Sequence, residues 1–127
     1  MLFRSSRIGV LGITFKAGTS DQRKSPALRI ARELAEDGYT VVAFDPTCST
    51  HSDLTIDAQI HIASNISEVC AGMDLLVVLT EWPEFSSIIP GEIAPQMRKA
   101  QVLDARGILN PTEWVKAGFE FFGLSNV

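Results

Sequence analysis

Short apolar runs alternate along the chain with longer amphipathic or polar stretches, as in proteins whose strands and helices follow one another in turn. Apolar runs predict strands at residues 8–11, 40–44, 75–79, 101–104 and 119–122, and residues 60–63 are a candidate short edge strand. Strands that alternate with helices predict an α/β, Rossmann-like fold. Its sheet would be mainly parallel, with about five strands, doubly wound in three layers.

Helical spacing of apolar residues marks the segments between these strands. A first helix is predicted to begin at Pro26, with Ser25 as its N-cap, and to end at Asp37-Gly38. A short helix capped by Asn65 or Ser64 follows. Two proline-broken helical fragments lie between residues 83 and 97, and a last helix covers 111–117 with Gly118 after its end. No linker or internal repeat divides the chain, so residues 1–127 are predicted to form one domain.

Composition and charge narrow the class of protein. Hydrophobic residues make up 46% of the 127 residues, as in globular proteins. The net charge of −4 and the pI near 5.1 argue against a nucleic-acid surface. No apolar run approaches the roughly 18 residues of a membrane span, the first residues lack a signal-peptide core, and two cysteines define no disulfide framework. We therefore expect a cytoplasmic protein.

Three polar clusters follow predicted strands, at residues 16–23, 80–82 and 104–107. Segments that follow parallel strands emerge at the same edge of the sheet, so we expect the clusters to converge. Lys16, Arg23 and Arg106 would then bind phosphate or carboxylate groups, with arginine giving two-pronged contacts. Gly12 and Gly18 would let backbone amides approach a phosphate closely.

Each of these residues also has a plainer interpretation. Lys16 fits a solvated loop charge, and Arg23 fits a surface pair with Asp21. Trp82 fits a packing residue at the sheet edge better than a stacking partner for a ligand. Asp45 stands where dinucleotide-binding folds place a ribose-binding acid. A turn with Pro46 or a helix cap is favoured, because the spacing of Gly9 and Gly12 does not match the G-x-G-x-x-G fingerprint.

The cysteines and histidines favour neither a catalytic nucleophile nor a metal site, and only Cys48 with His51 offers a weak pattern for one. Cys70 lies on the apolar face of a predicted helix, and Cys48, in a polar loop with His51 nearby, has no third group to orient a nucleophile. His61 has no metal-ligand spacing with either cysteine. We predict that both thiols are inert.

An ordered set of motifs runs across residues 7–124. It comprises Gly12, Phe15, Lys16, Thr19, Asp21, Arg23, Ser25 and Pro26, then Phe44-Asp45-Pro46, Thr80-Glu81-Trp82 with Phe85, and Leu103-Asp104-Ala105-Arg106. This set resembles the C-terminal, UDP-binding domain of the UDP-glucose/GDP-mannose dehydrogenase family. The match at so many ordered positions is more specific than any one of the motifs.

The resemblance implies a function for the chain and roles for four residues. The family oxidises a nucleotide sugar twice, to the uronic acid, with NAD as the cofactor. Phe15, Lys16 and Arg106 would contact the nucleotide-sugar substrate, and Arg23 would reach toward the NAD held by another domain. The Arg106 motif and the Ala117-Gly118-Phe119 ending favour a UDP-sugar, whereas residues 15–19 resemble GDP-mannose enzymes.

The departures from the family limit what the chain is expected to do alone. The sequence lacks the family's NAD-binding glycine fingerprint and its catalytic cysteine segment. We therefore expect a UDP-sugar-binding domain of a UDP-glucose to UDP-glucuronate type dehydrogenase that is not catalytic alone. It would work with the missing dehydrogenase domains or a partner subunit, and it could form a homo-oligomer.

Besides a GDP-mannose-type dehydrogenase domain, two other functions stay open from the sequence. The first is a non-catalytic interaction or regulatory module with the same fold. The second, independent of the family resemblance, is a general Rossmann-like binder of a nucleotide or coenzyme A.

Overall fold

The fold was analysed in a computed structural model that describes residues 6–13, 26–46 and 60–123. The described elements are β1 (Arg7–Leu11), α1 (Pro26–Glu36), β2 (Thr40–Phe44), β3 (Ile60–Ile62), α2 (Ile66–Cys70), β4 (Leu75–Val78), α3 (Pro83–Ser86), α4 (Pro90–Ile93), a 3₁₀ turn (Ala94–Gln96), β5 (Gln101–Asp104), α5 (Pro111–Lys116) and β6 (Glu120–Gly123).

The six described strands form one parallel sheet in the order β3-β2-β1-β4-β5-β6. This is the order of the doubly wound dinucleotide-binding fold, in which the chain starts at the centre and builds each half outward. The predicted fold is confirmed. The expected number of about five strands was one too low, because the three-residue edge strand β3 does pair with β2, with Ile60 opposite Val41.

Side chains alternate between the two faces of the sheet and fill a separate core on each. One core joins α1, through Leu28 and Ala31, to Ile8 and Val10 of β1. The other core collects side chains from α2, α3, α4 and α5, namely Val69, Phe85, Ile93 and Trp114. Helices thus cover both faces, which gives the three layers that the alternation of elements predicts.

Gly9 allows α2 to pack directly on β1. A Cβ atom at this position would overlap the backbone carbonyl oxygen of Val69 in α2. Packing therefore requires glycine at this position, because any side chain would prevent the close contact between the helix and the strand.

Side-chain caps define the starts of two short helices. The side-chain oxygen of Asn65 accepts a hydrogen bond from the Glu68 backbone N–H at 2.8 Å, as one of the two predicted caps of α2. Asn110 caps α5 in the same way, accepting from the N–H groups of Thr112 and Glu113. The predicted cap of α1, Ser25, lies outside the described residues.

A buried carboxylate ties the amino edge of the sheet together. Asp74, which is fully buried, accepts hydrogen bonds from the backbone N–H of Arg7 at 2.8 Å and from Arg98 Nε at 2.6 Å. Burial by itself would raise the pKa of Asp74, but these two donors and the positive charges of Arg98 and Lys99 outweigh it and lower the pKa below its ordinary value. Asp74 is therefore a charged link between the start of β1 and the segment before β5.

Candidate functional site

The carboxyl edge, meaning the segments that follow strands β1, β2, β4 and β5, carries polar and charged residues that include Asp45, Thr80, Glu81 and Arg106. In doubly wound sheets, ligands bind outside this edge where the two halves of the sheet part. Here that point lies between β1 and β4, which are neighbours in the centre of the sheet. Gly12 follows β1 and Thr80 follows β4 with one residue between.

Gly12 and Thr80 fit against each other at this point. The Thr80 hydroxyl oxygen occupies the space that a Cβ atom on Gly12 would need, and Gly12 has a φ of +97°. Both space and backbone conformation therefore require glycine. The N–H of Gly12 itself donates to the carbonyl oxygen of Phe44 at 2.8 Å, so this amide is used within the fold.

Asp45 stabilises the same end of the sheet from β2. Its side chain is 1% exposed, and Oδ2 accepts a hydrogen bond from the backbone N–H of Ile13 at 2.8 Å. The carboxylate thus joins the segment after β1 to the end of β2. This long-range contact is a different use of Asp45 from the turn or helix cap that the sequence favoured.

Asp104 shapes the loop that carries Arg106. Its buried carboxylate accepts three backbone N–H groups, those of Arg106 at 3.0 Å, Gly107 at 2.8 Å and Leu109 at 2.8 Å. The backbone N–H of Ala105 donates to Val78 O of β4 at 3.1 Å. The loop after β5 is therefore held at its base, with Arg106 projecting from it.

Arg106 and Glu81 meet across the carboxyl edge. Arg106 Nη2 donates to Glu81 Oε1 at 3.1 Å, and the two side chains are 46% and 52% exposed. Two of the three polar clusters, at 80–82 and 104–107, therefore do converge as predicted. The third cluster and Phe15, Lys16 and Arg23 lie outside the described residues.

Two buried polar atoms near this edge have no hydrogen-bond partner within the described ranges. They are the hydroxyl oxygen of Thr80 and Nε1 of Trp82. Trp82 itself is half-buried and packs against the core on the α2–α5 face. Packing, the favoured interpretation of Trp82, agrees with this position.

Cys70 is unsuited to nucleophilic chemistry. The thiol is fully buried, and burial raises its pKa to about 12, so that the thiolate is scarce at neutral pH. Cys48 lies outside the described residues. Within residues 6–13, 26–46 and 60–123, no three histidine, cysteine or acidic side chains cluster as metal ligands would.

An open cavity of about 330 Å³ lies elsewhere, between α2 and α4. Its lining includes four isoleucines and the carboxylates of Glu84 and Glu92. Carboxylates repel phosphate, so this cavity is a poor anion site and the carboxyl edge remains the candidate.

Sequence reasoning had grouped Glu81 with its neighbours but gave it no role. The contact with Arg106 spans 25 residues of sequence. The available signal was positional, because an acid that follows β4 stands beside the loop of the adjacent strand β5. The same positional signal applies to Gly12 and Thr80, because they follow the adjacent strands β1 and β4.

The comparisons with known proteins agree with this arrangement. The model of the UDP-glucose/GDP-mannose dehydrogenase family, UDP binding domain, matches residues 9–111. UDP-glucose 6-dehydrogenase of Rickettsia bellii is 35% identical over 125 residues, which are 97% of this chain and 29% of the relative. UDP-N-acetyl-D-mannosamine dehydrogenase of Methanococcus maripaludis is 34% identical over 94% of this chain and 27% of its own length.

Solved structures show the same likeness. The UDP-D-ManNAc dehydrogenase of Pyrococcus horikoshii superposes with a TM-score of 0.75 at 28% identity, over 95% of this chain and 26% of that one. GDP-mannose dehydrogenase of Pseudomonas aeruginosa, at 24% identity and a TM-score of 0.70, shares the fold over 95% of this chain and 28% of its own. The chain spans less than a third of the length of these relatives. None of the described helices has the length and apolar character needed to cross a membrane.

Proposed function

Because this chain belongs to the UDP-glucose/GDP-mannose dehydrogenase family, as its UDP-binding domain, we propose that it binds the diphosphate of a UDP-sugar at the carboxyl edge. The observation that carries the proposal is the position of Arg106. A loop held by Asp104 brings this guanidinium to the ligand-binding edge of a doubly wound sheet. Guanidinium groups are well suited to diphosphates, since they donate parallel hydrogen bonds.

Three further residues complete the proposed contacts. Phe15 and Lys16 would contact the nucleotide sugar together with Arg106, and Arg23 would reach the NAD bound by another part of the enzyme. Their support is the order of motifs that the chain shares with the family. In the sequence these three residues come after Gly12, and Gly12 itself lies at the centre of the same edge.

The whole enzyme would be a cytoplasmic, NAD-dependent nucleotide-sugar 6-dehydrogenase that converts UDP-glucose to UDP-glucuronate. In this proposal NAD⁺ accepts the hydride, and the rest of the enzyme or a partner subunit provides the NAD-binding site. The chain alone does not turn over its substrate. The buried, weakly acidic thiol of Cys70 supports this part of the proposal.

Isothermal calorimetry tests the binding. The 127-residue chain is titrated with UDP, UDP-glucose and GDP-mannose, and we expect the two uridine nucleotides to bind more tightly than GDP-mannose. Arg106→Ala should weaken UDP binding about tenfold or more, since a hydrogen bond to a charged group contributes about 1.5–3 kcal/mol. Arg29→Ala is the matched control, because it removes an equal charge from the exposed surface of α1.

Three results would contradict the proposal. No binding of any nucleotide at millimolar concentration would favour a non-catalytic interaction module. Equal weakening by Arg106→Ala and Arg29→Ala would indicate attraction by charge alone. NADH formation from UDP-glucose and NAD by the chain would contradict its lack of turnover.

A further inference from the structure

We propose that Glu81 is a positioning residue, which holds the Arg106 guanidinium toward the diphosphate of the bound nucleotide. This inference rests on the proposed function. It starts from the hydrogen bond between Arg106 Nη2 and Glu81 Oε1, which joins the segments that follow two adjacent strands, β4 and β5.

The backbone of Arg106 is fixed independently of Glu81. Asp104 accepts the Arg106 N–H, and the preceding residue is bonded to β4. These contacts do not fix the long side chain. Holding an arginine side chain in one place costs considerable rotamer entropy, so it needs a contact of its own. In the part of the chain that the structure describes, the contact that restrains the Arg106 side chain is the one with Glu81.

Stability gives no reason for this ion pair. Both side chains are about half exposed, and exposed pairs contribute little to folding because water and salt screen them. A contact at the ligand-binding edge that contributes little to folding is well placed to serve binding instead.

The geometry leaves the guanidinium able to bind an anion. Arginine has five N–H donors, and the contact with Glu81 engages Nη2. Among the described residues no contact engages Nη1 or Nε, and we assign these donors to phosphate oxygens. Holding the group before the ligand arrives lowers the entropy lost on binding.

The charge of Glu81 acts in the opposite direction. A carboxylate beside Arg106 repels a diphosphate, so electrostatics alone predict that any neutral residue at position 81 tightens binding. The positioning role depends instead on an acceptor oxygen of the right reach. Glutamine retains that oxygen without the charge, and alanine removes both.

The experiment measures UDP affinity of the full 127-residue chain by calorimetry, for the unaltered chain and for Glu81→Ala, Glu81→Gln and Glu84→Ala. We expect Glu81→Ala to weaken binding about threefold to tenfold. Glu81→Gln should bind as tightly as the unaltered chain or more tightly. Glu84→Ala, which removes an exposed carboxylate three residues away in α3, should not weaken binding.

A double-mutant cycle makes the test specific to Arg106. In the Arg106→Ala background, Glu81→Ala should no longer weaken binding, because nothing remains to be positioned. Urea unfolding of each variant should give midpoints close to that of the unaltered chain, which separates loss of positioning from loss of folding.

The possible failures are distinguishable. If the unaltered chain binds UDP and Arg106→Ala weakens binding, but Glu81→Ala binds normally or more tightly, the positioning role is wrong and the proposed function stands. Weakening by Glu81→Gln equal to that by Glu81→Ala would also overturn the role of the acceptor oxygen. No UDP binding by the unaltered chain would overturn both proposals.

Discussion

The residue at position 12 is constrained by the segment that follows the neighbouring strand β4. Its φ of +97° disfavours any side chain, and the Thr80 hydroxyl occupies the place of a Cβ atom. Its amide is used within the fold, because it donates to Phe44. Glycine is thus required here by the junction of β1 and β4, before any ligand is considered.

Substitution of Gly12 should therefore be costly. We expect Gly12→Ala to lower the free energy of unfolding by about 2–4 kcal/mol, through backbone strain and overlap with Thr80. Urea unfolding followed by circular dichroism measures the change. Gly91→Ala is the matched control, because a Cβ atom there meets open space in α4 and the change should stay within about 1 kcal/mol. Similar midpoints for the two variants would contradict this account.

At the scale of elements, α5 is a short helix that is stable because of what it packs against. Six residues are too few for a stable isolated helix, so tertiary contacts must supply the difference. Trp114 is 2% exposed, and its ring meets that of Phe119 edge to face, with centroids 4.7 Å apart. This pair fastens the helix to the start of β6.

Truncation of Trp114 should release this end of the fold. We expect Trp114→Ala to lower the free energy of unfolding by about 3–5 kcal/mol, and Trp114→Phe to lower it less. The neighbouring Val115 is 57% exposed, so Val115→Ala should change the free energy of unfolding by less than about 1 kcal/mol. Denaturation monitored by circular dichroism gives the comparison, and equal losses at 114 and 115 would contradict the anchoring role.

Elements were predictable from the sequence where local pattern determines them. Residues 75–79 form a continuous apolar run and the segment after Pro26 has apolar residues at helical spacing, and the structure contains β4 and α1 at these places. The convergence of the clusters that follow β4 and β5 was predictable from the order of the elements, but the individual contacts were not. Pairing of Asp45 with Ile13, and of Glu81 with Arg106, depends on the exact conformation of the loops after the strands, and no local pattern encodes those distances.

At the scale of the whole molecule, the two halves of the sheet are joined at both edges. Gly12 and Thr80 meet at the carboxyl edge, and Asp74 links β1 to the segment before β5 at the amino edge. Because the pKa of Asp74 is lowered in the folded state, its charged form stabilises the fold. That stabilisation is fully present above the ordinary pKa near 3.8 and is lost as the pH falls through the lower, folded value.

The contribution of Asp74 to stability should be measurable from the pH dependence of unfolding. We expect Asp74→Asn to be less stable than the unaltered chain at pH 7, and to lose less of its stability as the pH falls from 5 to 3. Urea midpoints measured across that range test it. Asp37→Asn, at an exposed position after α1, serves as the control and should follow the unaltered chain. Parallel pH profiles for Asp74→Asn and the unaltered chain would show that Asp74 does not cause the loss of stability at low pH.

The chain contains two tryptophans, and the fold gives them different surroundings. Trp114 lies in the core, whereas Trp82 is half-buried and stands two residues beyond Thr80 at the carboxyl edge. Intrinsic fluorescence can therefore separate two events in one sample. Unfolding exposes both indoles and shifts the emission to longer wavelengths, whereas an event confined to the carboxyl edge alters the emission of Trp82 and leaves that of Trp114 in place.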